Sequence, residues 1–294
     1  MAKRVIKPTK LSLLSTPHLS RFPWLVHAFS TRLGGCSRAY GGAALNLGFT
    51  KDDSKTAIER NRAAFLAALG ANAKSKGDSG LPSLVTLRQI HSDVIWVVDA
   101  PGEPPAGDGL ITNTPGLLLG IQTADCLPII LVDPKHHAVG MFHAGWRGTI
   151  QRIVEKGVGE MHRHFGSLAR DLKAAIGPGI HGCCYEVGPE VRDQFESQFS
   201  YAEKLFRVVE EADPVREKYP MLFLTARPPG HGELPKKIFL DLVDANRQQL
   251  FAVGVPAQSI DASPLCTNCR TDLLFSYRAE KAKTGRMMAV VGIK

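Results

Sequence analysis

Three side chains carry metal-binding or nucleophilic chemistry in settings that present it. His91 lies in Gln89-Ile90-His91-Ser92-Asp93, and Cys126 in Thr123-Ala124-Asp125-Cys126-Leu127-Pro128. His143 lies in Phe142-His143-Ala144-Gly145-Trp146-Arg147-Gly148. Each ends or interrupts an apolar run that reads as a buried strand. Two imidazoles and a thiol are one ligand short of a closed tetrahedral zinc site. Zinc sites with three protein ligands keep the fourth position for water or substrate. The same set also composes a thiolate nucleophile with a histidine base. The bland alternative is two hydrogen-bonded core histidines and a cysteine packed as a small hydrophobe. Three such residues at strand ends weaken it, because α/β sites form at the carboxyl edge of sheets. No short-range zinc spacing decides between metal and thiolate.

The turn Ala144-Gly145-Trp146-Arg147-Gly148-Thr149 leads from a strand into a helix. Amides at a helix start, with Arg147 beside them, suit an anion such as phosphate. The competing reading is a tight turn with a surface arginine, and no GxxxxGK[ST] loop is present. Multicopper oxidase chemistry needs several His-x-His pairs. The chain has one, His162-Arg163-His164, on an expected helix where positions i and i+2 face apart.

These residues need strands and helices to hold them. Strands are expected over Leu25 to Phe29, on either side of His91 within Leu84 to Val98, and over Leu117 to Val132 with a break at Thr123-Ala124-Asp125. Further strands are expected at Ala138 to Phe142, Leu172 to Ile176 and Met287 to Ile293. Apolar stripes predict helices over Thr56 to Leu69, from Pro189 onward, and over Leu240 to Val253 ending at Gly254. The clearest helix runs from an N-cap at Thr149 to Phe165. Residues 30–48, 71–82, 101–108 and 220–234 read as loops. Strands and helices alternate without a break in composition, which predicts one α/β domain.

The 294 residues are 44% hydrophobic and 22% charged, ordinary globular material. No stretch nears the roughly 20 apolar residues of a membrane span. The N-terminus is basic, but Leu11 to Leu14 is too short for a signal-peptide core, so a cytoplasmic protein is expected. Six cysteines are too few for a disulfide scaffold. The net charge of +8 favours anionic substrates without naming one, and no nucleic-acid signature accompanies it.

Several segments together resemble the laccase-domain, or polyphenol-oxidase-like, proteins, a family now described as purine nucleoside phosphorylases. They are Ser30-Thr31-Arg32-Leu33-Gly34-Gly35, Leu45-Asn46-Leu47-Gly48, Asn61-Arg62, Gln89-Ile90-His91-Ser92 and Asp108-Gly109-Leu110-Ile111-Thr112. Thr123 to Pro128, His143 to Gly148, Gly177-Pro178, Cys184 to Gly188 and Phe275-Ser276-Tyr277-Arg278 complete the set. The likeness spans residues 22–294 and leaves 1–21 as an N-terminal extension. It implies a single-domain four-layer α-β-β-α sandwich with mixed sheets. It implies zinc on His91, Cys126 and His143, which are then also the catalytic residues. It further implies phosphorolysis of adenosine, inosine and methylthioadenosine, with adenosine deamination as a side activity. The partners are then a purine nucleoside and inorganic phosphate, with no nucleic acid and no membrane. Arg147, Arg32, Arg62 and Asn46 are the candidates to hold phosphate or substrate. Asp93 and Asp125 are candidate proton carriers, or else caps at strand ends. Some relatives are linked instead to hydrolysing an amide in a nucleotide-linked muramyl precursor, which makes a cysteine amidase the alternative. The chain departs from the family at Gly107, at Ala279, where relatives often carry arginine, and over Gly48-Phe49-Thr50-Lys51.

Overall fold

A computed structural model describes residues 11–70, 83–210, 218 and 236–294. They form two compact units: one runs to Ile180 and resumes at Leu242, and the other is His181–Asp241.

Two sheets make the larger unit. The first has five strands in the order β1 (Leu13–Leu14), β2 (Leu25–Ser30), β15 (Met287–Ile293), β7 (Leu117–Thr123) and β4 (Ser83–Thr86). All its pairs are antiparallel except β4 with β7. The second has six, in the order β14 (Ile260–Ala262), β10 (Lys173–Ile176), β8 (Leu127–Asp133), β9 (Ala138–Ala144), β6 (Gly109–Thr112) and β5 (Ile95–Val97). Its two outer pairs are parallel and its inner pairs antiparallel.

Side-chain alternation explains the stacking. Leu117, Leu119 and Ile121 of β7, with Ala289, Val291 and Ile293 of β15, point inward. They meet Ile130, Val132, Val139 and Met141 of the second sheet. Leu118, Met288 and Val290 point the other way, onto Phe65 of α1 (Lys55–Ala68). Both faces are buried, so these strands are continuously apolar and do not alternate with polar residues. α1 is capped by Ser54, whose hydroxyl accepts the Ala57 N–H at 3.2 Å. On the outer face of the second sheet lie α2 (Trp146–Ile150), α3 (Ile153–Phe165) and α5 (Leu242–Ala252). α3 comes so close that a Cβ at Gly157 would stand 2.5 Å from the Phe142 ring. The order helix, sheet, sheet, helix is the expected α/β sandwich with mixed sheets.

The unit His181–Asp241 holds a three-stranded antiparallel sheet, β11 (Glu186–Val187), β13 (Lys236–Leu240) and β12 (Phe206–Glu210) in that order. It also holds α4 (Pro189–Gln198), opened by Pro189. Phe195 packs its ring on Phe199 at 5.6 Å and on Phe206 at 5.9 Å.

Four expectations change. Residues 11–20, expected within an N-terminal extension, join the larger unit: β1 pairs with β2, and Leu19 is fully buried. Residues 1–10 and the expected loop 71–82 lie outside the described residues, as does the loop 220–234. The loop 30–48 contains a strand, β3 (Leu33–Ser37), which bridges to Ala44. Leu240 ends β13, so its helix starts at Leu242. The single helix from Thr149 is two, divided at Arg152, whose φ of 64° is left-handed. No helix among the described residues is long and apolar enough to cross a membrane.

Candidate metal centre

The second sheet brings the three donors together. Cys126 sits in the link between β7 and β8. Antiparallel pairing of β8 with β9 sets Leu127 opposite Ala144 and Pro128 opposite His143. Pairing of β9 with β6 sets Gly109 opposite Phe142. Asp108 therefore falls beside His143, and its carbonyl accepts the His143 N–H at 2.8 Å. His91 arrives on the loop from β4 to β5. The donor atoms of His91, Cys126 and His143 lie within 4.8 Å of one another. The two imidazoles meet edge to face, with centroids 4.9 Å apart.

Asp108 organises this group. It is fully buried. Its Oδ1 faces His143 Nδ1 at 2.8 Å and accepts the His91 N–H at 3.1 Å. Its Oδ2 accepts the Ser92 N–H at 2.6 Å, the Ser92 hydroxyl at 2.7 Å and the Ile90 N–H at 3.2 Å. One carboxylate thus fixes the ring of one donor and the backbone of another. With Nδ1 engaged, His143 has Nε2 left for Cys126 or a metal.

Burial works against charge on Asp108, but hydrogen bonds from His143 and Ser92 outweigh it and bring the carboxyl down to about 2. Burial likewise opposes a thiolate at Cys126. The charge of His143 and hydrogen bonds from both histidines overcome it, and the thiol falls to about 6. His143 is the counterpart: burial opposes its charge, yet the Cys126 charge and the Asp108 hydrogen bond raise it to about 9. The site favours a thiolate facing a cation.

Two backbones here are strained. His91 has φ 58° and Asp125 has φ 96°. Such residues cost about 1–3 kcal/mol each and persist where their surroundings hold them. For Asp125 three bonds do so. Its Oδ1 accepts the Thr267 hydroxyl at 2.6 Å, its Oδ2 the Arg278 N–H at 2.7 Å and its carbonyl the Ile180 N–H at 2.7 Å. Gly145 is required by closeness: a Cβ there would lie 2.9 Å from Cys126 Sγ and 3.3 Å from the His91 ring.

The other candidates scatter. Asn46 is fully buried and bonds Gly48, Asp53 and the Arg286 N–H. Arg32 donates to the carbonyls of Thr271 and Tyr40, pairs with Glu280 at 3.1 Å and covers the Phe275 ring. Arg62 donates to the Leu47 carbonyl and stacks on Phe49. Arg147 is exposed at the start of α2, with its guanidinium over the Trp146 ring at 4.4 Å. Asp93 pairs with Lys156. The bonds of Asp93 run to Lys156 and those of Asp125 to Thr267, Arg278 and Ile180, not to the donor atoms.

Sequence reasoning missed Asp108 and Ser92. Both stand inside quoted motifs, but nothing local marks a carboxylate that serves residues 16 and more positions away. The one usable signal was chemical, since a ligating histidine needs a partner on its other nitrogen.

The donor set fits zinc. A metal cation among these atoms stabilises the same thiolate that His143 stabilises as a cation, and it uses the lone pair of a neutral imidazole. Neither histidine of the His-x-His pair belongs to a group of converging donors among the described residues; His162 Nδ1 bonds the Ser167 carbonyl and His164 pairs with Glu160.

Residues 26–294 match the family described as multi-copper polyphenol oxidoreductase laccase. The chain is 37% identical to a purine nucleoside phosphorylase of Deinococcus radiodurans, over 96% of this chain and 93% of that protein. It is 33% identical to an adenosine deaminase of an unknown prokaryotic organism, over 89% and 91%. A Bacillus licheniformis hypothetical protein, YfiH, matches in structure with a TM-score of 0.78 and 30% identity, over 99% of this chain and 98% of that one.

Proposed function

The chain belongs to the multi-copper polyphenol oxidoreductase laccase family, and from that premise we propose that it is a zinc-dependent purine nucleoside phosphorylase. Its substrates are adenosine, inosine and methylthioadenosine with inorganic phosphate, and adenosine deamination is a side activity. The protein works in the cytoplasm, without a nucleic acid or membrane partner. The observation that carries this reading is the convergence of His91, Cys126 and His143 around Asp108, in a chain related along most of its length to purine nucleoside phosphorylases.

His91, Cys126 and His143 hold the metal. Bound there, zinc supplies Lewis acidity and brings the pKa of its water toward 7. Asp108 keeps His143 aligned and His91 on its loop. In phosphorolysis a phosphate oxygen attacks C1′ of the ribose. The glycosidic C–N bond breaks, and the base leaves with the bonding electrons and takes up a proton. The chain's part is to hold the anion against that carbon. Arg147 is the cation we assign to it, beside the amides at the start of α2. α5 steadies that turn: Asn246 donates to the Thr149 hydroxyl at 3.0 Å and Gln249 to the Thr149 carbonyl at 2.7 Å. Arg32, Arg62 and Asn46 bind groups of the protein itself, Arg32 those of Thr271 and Glu280, Arg62 that of Leu47 and Asn46 those of Gly48 and Asp53.

The deciding experiment incubates purified protein with a nucleoside panel, with and without phosphate, and separates free base, ribose 1-phosphate and deaminated product. Base release that requires phosphate supports the reading. Absence of both base release and deamination overturns it.

One observation favours a second reading. Cys126, His143 and Asp108 stand in the order of nucleophile, base and orienting carboxylate. A cysteine amidase acting on a nucleotide-linked muramyl compound would use them so. It would form a thioester and show no phosphate dependence.

A further inference from the structure

Tyr277 is half exposed, at 50%, yet the three residues before it are fully buried. Leu274 and Phe275 are fully buried with Tyr40, Ala44 and Met287. Ser276 is buried too; its N–H donates to Glu280 Oε2, its hydroxyl accepts the Ala279 N–H and its carbonyl accepts the Glu280 N–H. The Tyr277 carbonyl accepts the Ala282 N–H at 2.9 Å. The next residue, Arg278, donates its N–H to Asp125 Oδ2 at 2.7 Å. Asp125 directly precedes Cys126. Consecutive Cα atoms are about 3.8 Å apart, so this bond sets the Tyr277–Arg278 backbone within roughly 10 Å of the Cys126 Cα. The Arg286 guanidinium covers the Tyr277 ring at 5.6 Å.

An exposed aromatic ring on a flexible loop needs no explanation. A ring held out by a buried anchor on one side and a tether to the metal-centre loop on the other is a preorganised surface. The other large exposed aromatics differ. Phe251 sits on α5, Trp96 binds the Ala106 carbonyl through its indole N–H, and Phe49 is stacked by Arg62. Trp96 and Phe49 are thus tied to Ala106 and Arg62 and not to the residues flanking Cys126.

We propose that Tyr277 is a binding residue that stacks on the purine base of the nucleoside and sets its position relative to His91, Cys126 and His143. This rests on the phosphorylase reading for the identity of the substrate. A flat, polarisable purine is suited to stacking on an aromatic ring, and stacking tolerates adenine and hypoxanthine alike because each presents a π-face. Recognition by ring face therefore goes with breadth among purine nucleosides.

The test compares wild type with Tyr277→Ala, Tyr277→Phe and, as a distant control, Phe251→Ala. Zinc content and thermal melting report the fold. Inosine turnover gives kcat and KM, and calorimetric titration with inosine gives Kd without need of turnover. Tyr277→Ala should raise KM and Kd for inosine on the order of ten-fold or more. Phosphate KM and kcat should stay within about two-fold, and zinc content should be unchanged. Tyr277→Phe, which keeps the ring, and Phe251→Ala should bind like wild type. An unchanged inosine Kd in a folded Tyr277→Ala protein overturns the proposal. Wild type that binds inosine without turnover, and loses binding in Tyr277→Ala, refutes the phosphorylase reading and leaves Tyr277 standing. Wild type that binds no purine nucleoside ends both.

Discussion

At the scale of single residues, the centre depends on Asp108 as much as on its donors. A carboxylate offers two oxygens, and here they serve Ile90, His91, Ser92 and His143. Asparagine has one acceptor oxygen and an NH₂ that would face donors. Asp108→Asn should therefore weaken zinc binding about 10- to 100-fold, read by competition with a chromogenic chelator. An affinity equal to wild type would remove Asp108 from the centre. Cys126 makes a second prediction. A thiolate held by metal is shielded, while a nucleophilic thiolate is not. Iodoacetamide should label Cys126 slowly in holo protein and faster after chelation, with turnover lost and then restored by added zinc. Rapid labelling of holo protein, with activity that survives chelation, would promote the amidase. The three donors were legible in the sequence because each breaks an apolar run. The engagement of Arg32 and Asn46 was not, because their partners lie as far off as Thr271 and Arg286.

Periodicity reads elements well where burial is one-sided and poorly where tertiary contacts cut across it. The stripe from Ile150 to Phe165 is continuous, so a helix broken at Arg152 left no mark in the pattern. The break follows from the turn at Gly145 and from Asn246 and Gln249 holding Thr149. β3 was hidden by its glycines. The β8–β9 hairpin was legible at both strands, but its lock is a buried side chain. Asp133 accepts the N–H groups of Lys135 and His136 at 2.8 and 3.2 Å and pairs with His136 Nδ1 at 2.7 Å. Burial pushes its carboxyl upward, but the neighbouring Ser167 hydroxyl and these hydrogen bonds outweigh it and leave the group below its ordinary value. A carboxyl depressed by folding adds stability above its unfolded pKa of about 4, and that stability is lost as pH falls through the folded value. Asp133→Asn should thus cost about 1–2 kcal/mol at pH 7, with the gap to wild type closing below about pH 4 in urea melts. A gap independent of pH would mean that the carboxylate charge is not what holds the turn.

Over the whole molecule, alternating strands and helices announced an α/β fold, and the apolar strands announced burial on both faces. Strand order was not legible, since pairing is set by partners far apart in the chain. The consequence shows at β15, the last strand in sequence and the central one of the first sheet. It pairs with β2 across most of the chain and with β7 on its other side. All seven of its residues are buried, with Ala289, Val291 and Ile293 in the core between the sheets and Met288 and Val290 under α1. Burying each large apolar side chain contributes about 1.5–3 kcal/mol. The strand as a whole thus accounts for on the order of 10 kcal/mol, as much as the net stability of a typical domain. It also supports the centre, because Met287 pairs with Thr123, three residues before Cys126. A chain ended at Arg286 should therefore show no cooperative thermal transition by circular dichroism and no stoichiometric zinc. Restoring residues 287–294 as a separate peptide should recover both in proportion to its concentration, because the edges of β2 and β7 are left open to receive it. A truncated chain that melts cooperatively near the wild-type temperature would show that the two sheets hold together without their central strand.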